Sequence, residues 1–265
     1  MLKTIKALLP ATELDMGGIP VKQALPTVHI QQIDPFLLLH HAKVKVSNQQ
    51  LAKHQGIGPH PHRGFSPVTF VIEGELRHRD SRGNNQVAKE GEVQWMHAGA
   101  GIIHSERPTQ SLVENAGIQE IIQLWINSPS HKKMQLPEYH YLPKSDMPVF
   151  YSEDRRIENK LIAGKYSGKT GRINTQSELL VIWAKGESDG KMSFNIPAGF
   201  NCMLYLIKGI LKVSGYGLVE RENLVYFNQE GSEIALEVKE DGSQFLLLCG
   251  EPIDEQVTQY GPYVM

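Results

Sequence analysis

Apolar residues in this chain gather in short runs rather than along helical stripes. Val68-Thr69-Phe70-Val71-Ile72, Gln119-Glu120-Ile121-Ile122-Gln123-Leu124-Trp125-Ile126, Leu179-Leu180-Val181-Ile182-Trp183 and Phe245-Leu246-Leu247-Leu248-Cys249 are each about the length of a strand. They are rich in β-branched and aromatic residues, and turn residues bound them. No long amphipathic helix stands out. Short strands punctuated by turns predict an all-β chain built as a sandwich or barrel.

Two strand-turn units share one pattern. Val68-Thr69-Phe70-Val71-Ile72-Glu73-Gly74-Glu75-Leu76 and Met203-Leu204-Tyr205-Leu206-Ile207-Lys208-Gly209-Ile210-Leu211 both run apolar strand, charged residue, glycine, new strand. The repetition predicts two copies of one β-module. Between them, Ser128 to Asp146 carries Pro129, Pro137, Pro143 and several charges, and reads as a junction with little regular structure. The expected division is a first module over residues 1–130, a linker over 131–146 and a second module over 147–265.

Composition narrows the class. The chain has 265 residues, 40% apolar and 21% charged, which is enough to bury a sizeable core and too apolar for disorder. A formal net charge of −2 gives no broad basic face, so no direct nucleic-acid binding is expected. Two cysteines, Cys202 and Cys249, make no disulfide framework, and both lie in apolar runs as buried thiols. No segment has the length of a membrane-spanning helix, and Ile5-Lys6-Ala7-Leu8-Leu9, closed by Pro10, is too short for a signal segment. A cytoplasmic protein with no membrane partner is the expectation.

Chemistry concentrates in two places. In Gly58-Pro59-His60-Pro61-His62-Arg63-Gly64, alternate side chains of an extended backbone share a face, so His60 and His62 project together, and Pro61 favours extension at His60. Two close imidazoles repel if both are charged, and a shared metal relieves this by taking neutral nitrogens. In Ile102-Ile103-His104-Ser105-Glu106 the same alternation pairs His104 with Glu106, after a turn, Ala98-Gly99-Ala100-Gly101, that has no bulk. Three imidazoles and a carboxylate form an N/O donor set suited to Fe(II), Mn, Ni, Cu or Zn rather than Ca or Mg. The chain has eleven histidines. His40 and His41 are adjacent, face opposite ways on a strand and read as structural. His29, His54, His78, His97, His131 and His140 lack a spaced partner and read as surface or internally satisfied.

These stretches resemble the pirin family of the cupin superfamily. The likeness is carried by His60-Pro61-His62-Arg63-Gly64-Phe65, by Gly91-Glu92-Val93-Gln94-Trp95-Met96 and by Ala98-Gly99-Ala100-Gly101-Ile102-Ile103-His104-Ser105-Glu106. Gln123-Leu124-Trp125-Ile126-Asn127, Gly250-Glu251-Pro252-Ile253 and Gln259-Tyr260-Gly261-Pro262-Tyr263-Val264-Met265 extend it. It spans nearly the whole chain and is weakest between about Lys144 and Gln244. The resemblance implies a bicupin, two jelly-roll β-barrels in tandem. It implies one divalent transition metal, Fe(II) first among the candidates, held in the first barrel by His60, His62, His104 and Glu106. It also implies that the segment Tyr260 to Met265 returns to pack on the first module. Two departures stand out. Ser66 occupies a position where relatives commonly carry glutamate. The second module has no histidine after His140, and aligning Gly74 with Gly209 puts Asn195 and Pro197 where His60 and His62 stand, so a metal-free second barrel is expected.

Some pirins resemble quercetinases, which implies a metal-dependent dioxygenase acting on a flavonol such as quercetin. Glu106 would be ligand and, if it dissociates, catalytic base, with Phe65, Trp95, Met96 and Gln123 as wall or supporting residues. Arg63 would orient a substrate anion or pair with a surface carboxylate. The family equally implies a second class of function: an iron-binding, redox-sensitive regulator whose partner is a transcription factor or metabolic enzyme. A third is a barrel that binds metal without turnover.

Overall fold

The computed structural model describes all 265 residues, Met1–Met265, and is nearly all β. Apart from short 3-10 turns, its one helix is Gln110–Glu114, opened by Thr109, whose hydroxyl accepts the Leu112 N–H. No helix is long and apolar enough to cross a membrane.

The first half of the chain supplies β1 (Ile5–Pro10), β2 (Thr12–Asp15), β3 (Pro20–Leu25), β4 (Phe36–Lys45), β5 (Ile57–His62) and β6 (Phe65–Glu73). It continues with β7 (Glu75–Asp80), β8 (Asn85–Lys89), β9 (Val93–His97), β10 (Ile102–Arg107), β11 (Ile118–Asn127) and β12 (Glu138–Leu142). A seven-stranded sheet runs β12-β9-β6-β11-β4-β3-β2, and a four-stranded sheet runs β5-β10-β7-β8. The pairings from β12 through β3 and from β5 through β8 are antiparallel, as in a jelly roll. β6 and β9 are buried along most of their length, and Phe65, Val68, Phe70, Val93 and Trp95 lie in the core.

The second half repeats the design. A seven-stranded sheet contains β1, Asn223–Phe227, Asn201–Lys208, Ser243–Gly250, Leu179–Gly186, Ile157–Ala163 and Val149–Tyr151. The four-stranded sheet runs Lys191–Asn195, Glu233–Val238, Ile210–Val213 and Gly217–Glu220. Gly74 and Gly209, the matched glycines of the repeat, both adopt φ near +80° to +90° at the same strand-to-strand step. A side chain at Gly74 would meet the Ile118 carbonyl at 2.2 Å, which explains why the step is made by glycine.

The boundaries differ from those expected. One compact unit comprises Met1–Thr12, Thr27–Pro35 and Ser145–Ile253; the other comprises Glu13–Pro26, Phe36–Lys144 and Asp254–Met265. The chain's first residues thus belong with its second half, because β1 adds to the strand Asn223–Phe227. The stretch 131–146 is no bare linker either: Glu138–Leu142 pairs with Val93–His97 along its whole length. Pro137 and Pro143 bracket that strand rather than break it. The closing residues cluster with the first-half strands. Val264 N–H donates to the Arg63 carbonyl, Arg63 N–H to the Pro262 carbonyl, and Glu255 accepts from the Ser130 N–H and hydroxyl.

Candidate metal centre

The four-stranded sheet of the first barrel carries the chemistry. β10 lies between β5 and β7, with His104 opposite His60 on one side and opposite Asp80 on the other. Alternation then places His60, His62, His104, Glu106, His78 and Asp80 on one face of the sheet. His62, His104, Glu106 and His78 are all buried, and His60 is half-buried.

Three of the expected ligands converge. The ring centroids of His60 and His62 are 4.7 Å apart, those of His60 and His104 4.4 Å, and those of His62 and His104 4.8 Å. One ring nitrogen from each lies within 4.8 Å of the others, so the triad could hold a metal ion. His60 Nδ1 donates to the Gly58 carbonyl at 2.8 Å, which leaves the lone pair on its Nε2, 3.0 Å from Nε2 of His62. His104 Nε2 is buried and has no hydrogen-bond partner.

Electrostatics keep the His62 and His104 rings neutral. Burial drives the His62 imidazole down to about 3, helped by repulsion from His104 and His60 and opposed by Glu106. Burial, followed by His60 and His78, pushes His104 to about 2 against the pull of Asp80. Two neutral buried imidazoles, a third close by and an orphaned buried nitrogen fit a divalent transition ion.

Glu106 stands beside this cluster. Its Oε1 accepts from the Thr69 hydroxyl at 2.9 Å, and its Oε2 from the Gln123 amide at 2.8 Å. Gln123 is itself oriented by the Trp125 indole N–H, 3.2 Å from its Oε1. Glu106 and Gln123 also line a cavity of about 440 Å³, whose wall includes His40, His54, Gln119 and Ile121. His40 accompanies Gln23 at 2.8 Å and is lowered to about 4 by burial, so it is neutral at pH 7. His41 bonds Glu120 at 2.8 Å.

Other expected residues are distributed around the site. The Phe65 and Trp125 rings meet His62 edge-on at 5.1 and 5.3 Å. Trp95 and Met96 are core, Met96 packing with Ala98 and Ile102. Arg63 reaches Met134 Sδ at 3.1 Å, and Ser66 sits 2.8 Å from His97 Nδ1. His78, read as a surface or internally satisfied histidine without a spaced partner, is buried with its Nδ1 3.3 Å from His104 Nδ1 and its Nε2 2.9 Å from Asp80. The signal was available: His78-x-Asp80 alternates as His104-x-Glu106 does.

Comparison with known proteins places this architecture. The model for the family described as Pirin matches residues 18–126, and that for the Pirin C-terminal cupin domain matches residues 183–265. This chain belongs to the pirin family. The pirin is 37% identical over 249 residues, 94% of this chain and 86% of the relative, to a Pseudomonas aeruginosa protein provisionally named quercetin 2,3-dioxygenase. The crystal structure of a quercetin 2,3-dioxygenase from Acinetobacter baumannii superposes with a TM-score of 0.91 at 33% identity, covering 100% of this chain and 92% of that one. A bacterial pirin from Escherichia coli in complex with nickel(II) superposes at 0.71 with 20% identity, covering 93% and 99%, a likeness of fold. The fold is thus that of two cupin domains.

Proposed function

We propose that this pirin is a metal-dependent dioxygenase of the quercetinase type, acting on flavonol-like substrates. The observation that carries the reading is one residue's double position. Glu106 belongs to the face that bears the three imidazoles, and it also lines the 440 Å³ cavity. That volume lies in the range of small-molecule sites, about 300–1,000 Å³. The names of two relatives, from P. aeruginosa and A. baumannii, support the same chemistry.

His60, His62 and His104 would hold the ion, with Glu106 joining them by giving up its bond to Thr69 or Gln123. Fe(II) is the first candidate, and the nickel(II) bound by the E. coli pirin supports a divalent ion at this site. The bound metal would supply Lewis acidity and electron exchange with dioxygen. The chain's own residues do the rest. Glu106 takes the proton of the flavonol 3-hydroxyl, because it is the carboxylate that faces both cavity and triad. Thr69 and Gln123 each donate to one of its oxygens, and whichever of the two bonds is kept holds the carboxylate in place. Ile121, Val44 and Leu76 line the cavity with apolar surface that suits an aromatic ring system and excludes water.

The test is to reconstitute the chain with Fe(II) without oxygen, admit air and follow loss of the flavonol absorption band together with oxygen uptake. Turnover is expected, with close to one metal per chain. Glu106→Gln should reduce turnover by about 10²-fold or more, the scale of a general base, while the three imidazoles still retain metal. His62→Ala should lose the metal. Failure of the iron, nickel, manganese and copper forms on several flavonols would overturn the dioxygenase reading. Full metal occupancy in His62→Ala would overturn the ligand set.

A further inference from the structure

We propose that Asp80 and His78 act as a positioning relay that fixes which nitrogen of His104 carries its proton, leaving the Nε2 lone pair turned toward His60 and His62. The inference rests on the reading of His104 as a metal ligand, and it assigns work to two residues outside the ligand set.

The starting point is Asp80, whose hydrogen-bond partners are donors. Its Oδ1 accepts the backbone N–H groups of Arg82 at 2.9 Å and Asn84 at 3.0 Å, and its Oδ2 accepts the Asn84 side-chain amide at 2.8 Å. The turn that joins β7 to β8 therefore builds a nest for a carboxylate. One further partner remains, His78 Nε2 at 2.9 Å from Oδ2. An oxygen so surrounded can only accept, so the proton on that contact belongs to His78 Nε2.

The consequence passes through the ring. A neutral His78 with its proton on Nε2 carries a lone pair on Nδ1, and that atom lies 3.3 Å from His104 Nδ1. A proton on that contact has to come from His104, because His78 already holds its own on Nε2 against Asp80. His104 then has no proton on Nε2, the buried atom with no partner of its own. The His78 ring cannot readily turn away. It stacks on Tyr139 with centroids 4.2 Å apart and planes 15° from parallel. The strand register supports the arrangement, since Asp80 pairs with His104 and His78 with Glu106. Outer partners of this type orient a ligating ring and select its tautomer, and their loss commonly weakens metal binding by about 10–100-fold.

The rival arrangement is definite. If His78 were an imidazolium, it would donate from Nδ1 to His104, whose proton would move to Nε2 and block the coordinating atom. The two can be told apart in the metal-free protein. Long-range proton–nitrogen NMR of the full chain labelled with nitrogen-15 histidine distinguishes a protonated from an unprotonated ring nitrogen. The expected spectrum shows His104 protonated at Nδ1 only and His78 at Nε2 only. His104 protonated at Nε2 would overturn the proposal, and this measurement needs no variant to fold.

Two substitutions then probe the relay by metal affinity, using nickel(II) competition against a chelator. His78→Leu removes the acceptor and should weaken nickel binding by about 10–100-fold. His78→Asn restores an oxygen near the position of Nδ1 and should recover affinity to within a few-fold of the parent. Unchanged affinity in folded His78→Leu would overturn the role. Equal loss in both variants, each folded by circular dichroism, would do the same, because it would mark His78 as packing alone. The tautomer is read without metal or flavonol, so a failure to oxidise flavonols leaves this result standing or falling by itself.

Discussion

At the scale of single residues, burial sets the state of the site. In an unfolded chain an imidazole takes its proton near pH 6.5, whereas folding holds His62 near 3, His104 near 2 and His40 near 4. Between those values the unfolded chain binds more protons than the folded one, so stability is fully present above about pH 6.5 and declines as pH falls toward the folded values. Metal-free protein should therefore show a melting temperature that drops with each unit below pH 6.5. His104→Ala should flatten that slope, since it removes one depressed group and relieves repulsion on His62. A slope identical to that of the parent chain would contradict this assignment. The positions of the triad were legible because alternation is a local signal, written within three residues at His60-x-His62 and again at His104-x-Glu106, although only the three imidazoles converge. His78-x-Asp80 carries the same signal but joins a histidine to an acid on a strand with no third ligand. Only the pairing of Asp80 with His104 reveals its place.

At the scale of elements, the two strands that carry the histidine triad are held by different means. β10 lies within its sheet, hydrogen-bonded on both sides, while β5 is the outer strand of that sheet. The far end of β5 is braced by the closing segment through the Arg63 and Tyr263 backbones. Gly64 makes that brace possible: its φ is +82°, and a side chain there would stand 1.8 Å from the Val264 carbonyl oxygen. Lys133 adds to it, its ammonium donating to the Gly64 carbonyl at 2.7 Å and to Asn127 at 2.6 Å. Gly64→Ala should thus push the tail off, expose Tyr260–Met265 to carboxypeptidase and weaken nickel binding through loosening of His60 and His62. The positive φ alone costs about 1 kcal/mol for a non-glycine residue, before the clash is counted. Unchanged digestion and unchanged affinity would show that β5 needs no brace. The tail's partner and the pairing of β1 with Asn223–Phe227 were beyond local pattern. Periodicity marks a strand, but nothing within a strand names a neighbour some two hundred residues away. Glu138–Leu142 was obscured differently, by flanking prolines that read as a linker until its pairing with β9 is seen.

At the scale of the whole molecule, one scaffold is used twice with opposite fillings. In each half a four-stranded antiparallel sheet pairs its outer strand with the same topological neighbour: β5 with β10, and Lys191–Asn195 with Glu233–Val238. In the first half that pairing sets His60 against His104. In the second it sets Phe194 against Ile234, and both belong to an apolar core with Leu236, Val213 and Phe245. Burying phenylalanine and isoleucine is favourable outright, whereas burying three imidazoles is costly until a ligand takes their lone pairs. The first half therefore gives up intrinsic stability at its polar seam, which a bound metal would restore. By mass action, metal at 100 times its Kd adds about 2.7 kcal/mol to the state that binds it. Hydrogen exchange with and without nickel should show where that gain falls. Amides of β5, β7 and β10 should slow by up to about 100-fold, while those of Leu179–Gly186, Asn201–Lys208 and Ser243–Gly250 keep their rates. Slowing spread evenly over both halves, or confined to the second, would contradict a metal site built on the first barrel's histidine face.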